Sequence, residues 1–419
     1  MTELKKTFEK KKVSGKCVLL YSGGLDTSVL CKWIPENYGL EVVALTIDVG
    51  QGDDLEAVKK KAVAVGVKHV VVDAKVEFVE KFVWPAVMAN AVYEGAYPVS
   101  TSLARPLLAQ KAVEVAKKTG CVAVAHGCTG KGNDQVRFDV TVKSLAPELE
   151  VVAPIREWNM DRQTELKYAQ EHGIPVPVTL EKNYSVDQNL WGRSVEGHWL
   201  EDPFAEPRED AYEWTKSAGD APGEPTYVEI EFEGGVPKKV RWESKDKAIG
   251  RGEEKDAVKM ILKMNEIAGK NGIGRIDHME DRVVGLKTRE VYECPAAVVF
   301  ITAHRDLEKL VLTKRELEFK QAVDSKWADL AYNGLWSDPL KADLDAFVEK
   351  ANEKVKGVVR LKLWKGTCAV AGRKSANALY DENLATYGVN SSFDQSKAEG
   401  FIELYGLQTR MANRLAKKK

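Results

Sequence analysis

The chain has 419 residues, of which 44% are hydrophobic and 30% are charged, a composition typical of a folded globular protein and not of a disordered one. At roughly 150 residues per domain, this length predicts two or three domains. Lys and Arg together number 62 against 63 Asp and Glu, so the formal net charge of -1 argues against a protein whose whole surface binds nucleic acid.

The sequence predicts neither a membrane span nor a secretory leader. No apolar run is long enough to cross a bilayer, and the charged start of the chain leads only into the short apolar run from Cys17 to Tyr21. Six cysteines are scattered without a Cys-x-x-Cys pair, which indicates neither a zinc site nor a disulfide framework. We therefore expect a cytoplasmic protein with no nucleic-acid or membrane partner.

Up to about residue 180, the sequence alternates strand and helix patterns. Short apolar runs predict five strands, and apolar residues at helical spacing predict the helices between them. Pro35 should stop the first helix, whereas Gly66 and Gly120 should close two later ones. The predicted strands cover 16–21, 41–47, 67–72, 121–125 and 150–153. Repeated βα units of this kind predict an α/β fold, a doubly wound parallel sheet with helices on both faces.

Beyond about residue 180, the pattern changes to that of a second, α+β domain. Alternating apolar and charged residues predict hairpins near 227–242 and 357–371, and helical spacing predicts helices at 257–268 and 317–330. The segment 401–415 should form one helix whose apolar face carries Leu404, Leu407, Met411 and Leu415. The domain limits are set at 1–15 for an N-terminal extension, 16–182 for the first domain, 183–375 for the second and 376–419 for a C-terminal helical arm.

The strongest chemical signal is the segment Ser22–Ser28 (Ser-Gly-Gly-Leu-Asp-Thr-Ser), which follows the first predicted strand and opens the first helix. Its two glycines allow a sharp turn and a close approach to a ligand, and the helix N-terminus offers free N–H groups. The segment lacks the Lys of a Walker A loop, and Gly-x-Gly-x-x-Gly is absent too. An ordinary capped turn is the alternative, but the position after a parallel strand favours phosphate binding.

A second polar loop, His126–Arg137, follows the fourth predicted strand and should reach the same edge of the sheet. Thr129, Asn133, Asp134 and Arg137 supply a hydroxyl, an amide, a carboxylate and a guanidinium. A zwitterionic amino acid needs that mixture, because its carboxylate takes donors and its ammonium takes an acceptor. The alternative is a solvated loop that leads into a helix capped by Asp134. Two such loops at one sheet edge favour a binding site.

The first loop resembles the pyrophosphate loop of the N-type ATP pyrophosphatases, which cleave ATP between its α and β phosphates. Together, the two loops and several later segments resemble the argininosuccinate synthase family, type 1-like. The later matching segments are 101–106, 172–175, 183–185, 189–194, 274–277 and 292–296. The similarity runs from about residue 16 to the C-terminal helix, so it covers nearly the whole chain.

This resemblance implies an adenine nucleotide α-hydrolase-like first domain, a synthetase second domain and a C-terminal arm that assembles homotetramers. Members of the family condense L-citrulline with L-aspartate, using ATP and Mg²⁺, in arginine biosynthesis. The ureido oxygen of citrulline attacks the α-phosphorus of ATP, which gives citrullyl-AMP and pyrophosphate. The aspartate amine then displaces AMP and forms argininosuccinate. Much of the catalysis should therefore be positioning and charge stabilisation.

By similarity, each substrate has its own set of residues. ATP should be bound by Leu20, Tyr21, Ser22, Gly23, Gly24, Leu25, Asp26, Thr27, Ser28, Ile47, Ala125, His126, Gly127, Gly130 and Lys131. Citrulline should be bound by Tyr97, Ser102, Asn133, Arg137, Ser185, Ser194, Glu280 and Tyr292. Aspartate should be bound by Thr129, Asn133 and Asp134.

Two carboxylates are candidates for catalysis. Asp134 would accept from the ammonium group of aspartate or help to deprotonate it, and Asp26 would help to organise Mg²⁺. The other ligands of the metal are not assigned. Cys128 has no evident partner base beyond His126 and is not expected to act as a nucleophile.

Other functions compete with this interpretation. A tRNA thiolase would use the same loop, but such enzymes usually need paired cysteines and a basic RNA surface. An ammonia-dependent synthetase of the GMP or NAD type would need ammonia delivery, and the second loop suits aspartate better. A nucleotide-binding protein without catalysis is the alternative from a different class, and ATP binding without pyrophosphate release would favour it.

Overall fold

The computed structural model describes residues 14–158, 162–175, 184–388 and 391–417. The first domain contains a parallel sheet of five strands in the order β3-β2-β1-β4-β5. The strands are β1 (Gly15–Leu20), β2 (Leu40–Asp48), β3 (Lys68–Asp73), β4 (Ala123–Ala125) and β5 (Glu150–Val152). The order reverses between β1 and β4, and the crevice at such a reversal is where doubly wound sheets bind ligands. The predicted fold of this domain is confirmed.

The helices of the first domain cover both faces of the sheet. They are α1 (Leu25–Tyr38), α2 (Leu55–Val65), α3 (Lys75–Phe78), α4 (Trp84–Met88), α5 (Ser100–Thr119), α6 (Asp134–Leu145), α7 (Pro154–Trp158) and α8 (Arg162–Glu171), with a π-helical turn at Val79–Val83 between α3 and α4. Gly66 and Gly120 close α2 and α5 in the left-handed conformation, as predicted.

The predicted stop of α1 at Pro35 is wrong. The helix continues to Tyr38 and is closed by Gly39, whose N–H donates to the carbonyl of Pro35 over 3.2 Å. Proline at this point removes the N–H of one residue only, and only one turn of helix follows it. A proline so near the C-terminus of a helix is therefore tolerated.

The second domain contains two antiparallel sheets, in the orders β10-β9-β8-β13-β14 and β11-β12-β7-β6. The strands are β6 (Ser185–Asn189), β7 (Gly192–Glu196), β8 (Thr226–Glu233), β9 (Val236–Ser244), β10 (Arg251–Glu254), β11 (Arg275–Asp281), β12 (Lys287–Glu293), β13 (Gly357–Trp364) and β14 (Thr367–Lys374). The helices are α9 (Ala257–Lys270), α10 (Pro295–Val311), α11 (Lys314–Tyr332) and α12 (Pro339–Asn352), and short 3-10 turns occupy His198–Glu201 and Glu209–Ala211. Both predicted hairpins lie in the five-stranded sheet, but the sequence did not predict the four-stranded one.

The two domains share one apolar core, which fixes the crevice between them. Trp84 of α4 packs edge-on against Phe300 of α10, with ring centroids 5.5 Å apart. The indole N–H of Trp191 donates to the carbonyl of Pro98 over 3.2 Å. Trp84, Trp191 and Phe300 belong to a single cluster of buried side chains that runs through both domains. The predicted domain limit at 182/183 lies outside the described residues.

The C-terminal segment contains α13 (Glu382–Ala385), α14 (Lys397–Tyr405) and α15 (Leu407–Ala416). The prediction of one helix over 401–415 is wrong, because the helix is interrupted at Gly406. No residue of these three helices is buried within the chain. Among the helices that the structure describes, none combines the length and apolarity needed to cross a membrane.

Candidate active site

The loop between β1 and α1 is built to receive an anion. Gly23 has a φ of +74°, and Gly24 caps α1 without any side-chain hydrogen bond to the helix. The first N–H groups of α1 therefore face outward without partners in the helix itself. Ser22 is exposed, and its hydroxyl lies 3.2 Å from that of Thr27. Backbone donors, hydroxyls and the helix dipole together suit a phosphate group.

A cavity of about 360 Å³ lies at the carboxyl edge of the sheet, between this loop and the loop after β4. Its lining includes most of the residues predicted for ATP, namely Leu20, Tyr21, Ser22, Gly24, Leu25, Asp26, Thr27, Ile47, His126 and Gly127. The expectation that the two loops meet at one sheet edge is therefore confirmed.

The remaining five residues predicted for ATP do not line this cavity. Ser28 and Ala125 are buried behind it, and the hydroxyl of Ser28 lies 3.3 Å from that of Tyr21. Gly23 is buried in the turn, whereas Gly130 and Lys131 are exposed in the loop before α6. The three buried residues therefore lie behind the cavity, and the two exposed residues lie outside it.

Arg105 of α5 also lines the cavity, and sequence reasoning did not assign it to a ligand. Its guanidinium lies 2.8 Å from the carboxylate of Asp134 and also pairs with Asp187 of β6. The Nε of Arg105 has no hydrogen-bond partner among the described residues, so one buried donor is left at this wall. Arg105 belongs to the segment 101–106 that carried the family resemblance, which was the available signal.

Asp134 is held between two arginines. One carboxylate oxygen faces Arg105, and the other accepts from Arg137 over 2.9 Å. Burial raises the pKa of this carboxyl, but the two guanidinium groups outweigh burial and hold the pKa below its usual range. A carboxylate with a low pKa is a weak base but a permanent anion. This geometry favours Asp134 as a partner for an ammonium group over Asp134 as a general base.

The four-stranded sheet presents a polar face to the first domain. Its register places Tyr292 opposite Ser194, and Ser194 opposite Asp187. Side chains alternate between faces along a strand, so Ser185, Ser194, Glu280 and Tyr292 share this face. The same face carries three carboxylates that sequence reasoning missed, namely Asp187, Glu196 and Glu290.

Glu280 is the centre of a buried hydrogen-bond network and is only 1% exposed. One of its carboxylate oxygens accepts from the hydroxyl of Tyr292, and the other from that of Tyr332, each over 2.5 Å. Tyr332 in turn accepts from the side-chain amide of Asn133 over 2.9 Å. The network therefore joins the second domain to the loop before α6.

Other residues predicted for citrulline lie near this network or behind it. The ring of Tyr97 stacks on that of Tyr292, with centroids 4.0 Å apart. The hydroxyl of Tyr97 accepts from the backbone N–H of Ser102 over 3.2 Å, and burial raises its pKa to about 12. The hydroxyl of Ser102 is buried and donates to a backbone carbonyl over 3.0 Å. Ser185, predicted for citrulline, and Thr129, predicted for aspartate, are exposed.

Two features bear on the predicted chemistry of Cys128 and Mg²⁺. Burial raises the pKa of the Cys128 thiol, with a further contribution from Asp134, so the thiol does not ionise readily. This agrees with the expectation that Cys128 is not a nucleophile. The described part of the chain contains no cluster of three or more His, Cys, Asp or Glu side chains able to hold a metal.

A doubly wound domain with a phosphate-type loop at its strand reversal, facing a polar sheet of a second domain, defines a two-domain nucleotide-binding protein of the HUP class. Residues 16–175 match the family model described as the arginosuccinate synthase N-terminal HUP domain, and residues 184–412 match that of the arginosuccinate synthase C-terminal domain. The chain belongs to the argininosuccinate synthase family.

Relatives with this family name are similar over almost the whole chain. The argininosuccinate synthase of Pyrococcus furiosus is 56% identical and covers 95% of this chain and 94% of its own. That of Rubrobacter xylanophilus is 55% identical and covers 94% of each chain. A solved structure, a predicted subunit of a tRNA methyltransferase from Methanocaldococcus jannaschii, is 17% identical, covers 37% of this chain and 76% of its own, and has a TM-score of 0.27.

Proposed function

We propose that this protein condenses L-citrulline and L-aspartate to argininosuccinate, with conversion of ATP to AMP and pyrophosphate. The family membership and the identity of about half of all residues with proteins of this name support the reaction. The single structural observation that carries it is the cavity between the loop 22–28 and the loop after β4, which is also lined by Asp134 of the first domain and Asp187 of the second.

In this proposal, the loop 22–28 binds the β and γ phosphates through backbone N–H groups and hydroxyls. The ureido oxygen of citrulline attacks the α-phosphorus, and pyrophosphate departs along the loop. The N–H groups and the helix dipole stabilise the charge that develops on the leaving group. The protein need not supply a covalent nucleophile, which fits the raised pKa of Cys128.

Aspartate would bind beside Arg105, Asn133 and Asp134. The permanent negative charge of Asp134 suits the ammonium group, and the free donor of Arg105 suits a carboxylate or the α-phosphate. The amine of aspartate then attacks the activated ureido carbon, and AMP leaves. No group of this chain is assigned as the base for that step.

Mg²⁺ is proposed to enter with the nucleotide. Asp26 is exposed and lines the cavity beside the loop, so its carboxylate can supply one oxygen ligand. Mg²⁺ commonly takes one or two carboxylates together with phosphate oxygens and water, which this wall accommodates. Bound there, the ion would neutralise charge on the phosphates.

A cytoplasmic homotetramer is proposed as the working state. All six cysteines are free thiols, which suits a reducing compartment. Six apolar side chains of α14 and α15 are between 47% and 75% exposed in the single chain, namely Phe401, Ile402, Leu404, Leu407, Met411 and Leu415. Apolar exposure of this kind supports burial against another subunit. Sedimentation of the full chain and of a chain shortened before α14 would test this, since only the full chain should form tetramers.

The reaction is tested by incubating the pure protein with ATP, Mg²⁺, citrulline and aspartate. Equal amounts of AMP, pyrophosphate and argininosuccinate should form, and only when both amino acids are present. AMP and pyrophosphate without argininosuccinate would indicate that another compound is adenylated. ATP binding by a folded tetramer without any turnover would contradict the proposal and favour a binding protein.

A further inference from the structure

Tyr332 occupies the junction of the two domains, although neither its position nor its residue type marked it in the sequence. It is the last residue of α11 and is 1% exposed. Its ring stacks on that of Tyr93, with centroids 3.6 Å apart and an angle of 4° between the planes. It also meets the ring of Tyr97 edge-on at 6.2 Å. Packing on two sides leaves the ring little freedom.

The polar atoms of Tyr332 contact three residues that are expected to bind citrulline. Its hydroxyl accepts from the amide of Asn133 over 2.9 Å and donates to Glu280 over 2.5 Å. Its backbone carbonyl accepts from Nε of Arg137 over 2.8 Å. Asn133 and Arg137 belong to the first domain and Glu280 to the second. One residue therefore contacts predicted citrulline-binding groups of both domains.

The hydroxyl of Tyr332 remains a hydrogen-bond donor at neutral pH. Burial raises its pKa, and the negative charge of Glu280 raises it further, so the phenol stays protonated at neutral pH. The hydrogen bond from Tyr332 thus holds the carboxylate of Glu280 in one orientation. The amide of Asn133 is fixed as well, because its oxygen accepts from the backbone N–H of Val283 over 2.9 Å.

The backbone around Tyr332 is also pressed against the first domain. Gly334 has a φ of +76°, and a Cβ atom added there would lie 2.7 Å from Cα of Arg137. Only glycine allows the turn after α11 to lie this close to α6. A displacement of Tyr332 would therefore move its contacts with Arg137 and Asn133 together.

We propose that Tyr332 is a positioning residue for citrulline: it orients Glu280, Asn133 and Arg137 without touching the reacting atoms. This inference rests on the proposed function, because it assumes that those three residues bind citrulline. It differs from a purely structural role, which would change stability without changing the affinity for one substrate. The distinction can be measured.

The test compares Tyr332→Phe with wild type and with Tyr93→Phe. Phenylalanine keeps the stacked ring and removes only the hydroxyl. Tyr93 is the matched control, since its ring is the other half of the stack and its hydroxyl donates to the backbone carbonyl of Asp281 over 2.8 Å, outside the network. The KM for citrulline of Tyr332→Phe should rise roughly 10-fold or more, because a hydrogen bond to a charged group is lost. The KM for ATP, and both KM values of Tyr93→Phe, should stay within about twofold.

A second variant makes the test independent of folding losses. If Tyr332 acts through Glu280, the double variant Tyr332→Phe with Glu280→Gln should raise the KM for citrulline by less than the product of the two single effects. KM does not depend on the fraction of protein that is folded, so partial misfolding does not disturb the comparison.

Four results would overturn the inference. An unchanged KM for citrulline in an active Tyr332→Phe enzyme would do so while leaving the proposed function intact. Equal rises in the KM values for citrulline and ATP, or multiplicative effects in the double variant, would show a structural role instead. Failure of wild type to form argininosuccinate would remove the proposed function first and this inference with it.

Discussion

The phosphate-type loop (residues 22–28, here the phosphate loop) and the buried groups proposed to bind citrulline (Glu280, Tyr292 and Tyr332, here the citrulline wall) place their polar groups by different means. The loop spans seven consecutive residues, its Ser22 and Asp26 side chains are exposed, and its donors are largely backbone N–H groups. On the citrulline wall, Glu280 and Tyr332 are each 1% exposed, and their contacts join residues as far as 199 positions apart. The loop offers several equivalent donors from neighbouring residues, so the loss of one donor should matter little. The citrulline wall depends on single side chains that are far apart in the sequence.

The largest effect is expected on the citrulline wall. Glu280→Ala should lower kcat/KM for citrulline by roughly 100-fold or more, because it removes the buried carboxylate and leaves two tyrosine hydroxyls without an acceptor. Asp281→Ala is the matched control, since its exposed side chain lies on the opposite face of the same strand. Steady-state kinetics of both variants would decide. Equal losses of kcat/KM in the two variants would contradict the proposed role of the buried Glu280 carboxylate.

An intermediate effect is expected on the pH dependence of stability. Burial, together with the nearby charges of Glu280 and Glu196, raises the pKa of Glu290 to about 8, against an ordinary value of 4.5. The folded chain thus holds this proton more tightly than the unfolded chain, so the free energy of unfolding falls as pH rises between these two values. Glutamine does not titrate, so the free energy of unfolding of Glu290→Gln should fall less than that of wild type as pH rises.

Urea unfolding at pH 5, 7 and 9 measures that difference. The free energy of unfolding of Glu290→Gln, relative to wild type, should rise by about 1 kcal/mol or more across this range. Glu233→Gln, at the surface of the five-stranded sheet, should follow wild type at all three pH values. Parallel curves for wild type and Glu290→Gln would show that the pKa of Glu290 is not raised in the folded protein.

The smallest effect is expected at the phosphate loop. Ser22→Ala removes one hydroxyl but keeps every backbone N–H group, so kcat/KM for ATP should fall only about fivefold. Ser144→Ala, an exposed serine on α6 whose hydroxyl donates to the carbonyl of Val140, serves as the control and should be unchanged. A loss at Ser22 as large as that at Glu280 would contradict the idea that the loop is redundant.

The same contrast explains what the sequence could predict. The β1-loop-α1 unit follows from neighbouring residues: an apolar strand, two glycines and a helix opening at Leu25. The four-stranded sheet was missed because its inward face carries the polar side chains of the site, as in β6 (Ser-Val-Asp-Gln-Asn), so the usual alternation of apolar and polar residues is lost. The site residues of this wall came only from the family resemblance.

Neither the local sequence pattern nor the family resemblance was used to assign a role to Tyr332 or Arg105. A tyrosine at the end of an amphipathic helix is typical of an ordinary core residue, and the predicted helix stopped two residues before it, at Leu330. Arg105 was within a matching segment, but its role depends on Asp134 and Asp187, which only the fold brings to it. The periodicity of a sequence does not predict charge and hydrogen-bond partners that are distant in the chain.

The most direct measurement of the two-wall site is a crystal structure of the wild-type protein with citrulline and a non-hydrolysable ATP analogue. We expect the phosphates on the loop 22–28 and citrulline within hydrogen-bond distance of Glu280, Asn133 or Arg137, with Tyr332 still bonded to Glu280. Citrulline bound elsewhere, or phosphates away from the loop in a protein that makes argininosuccinate, would contradict this account of the site.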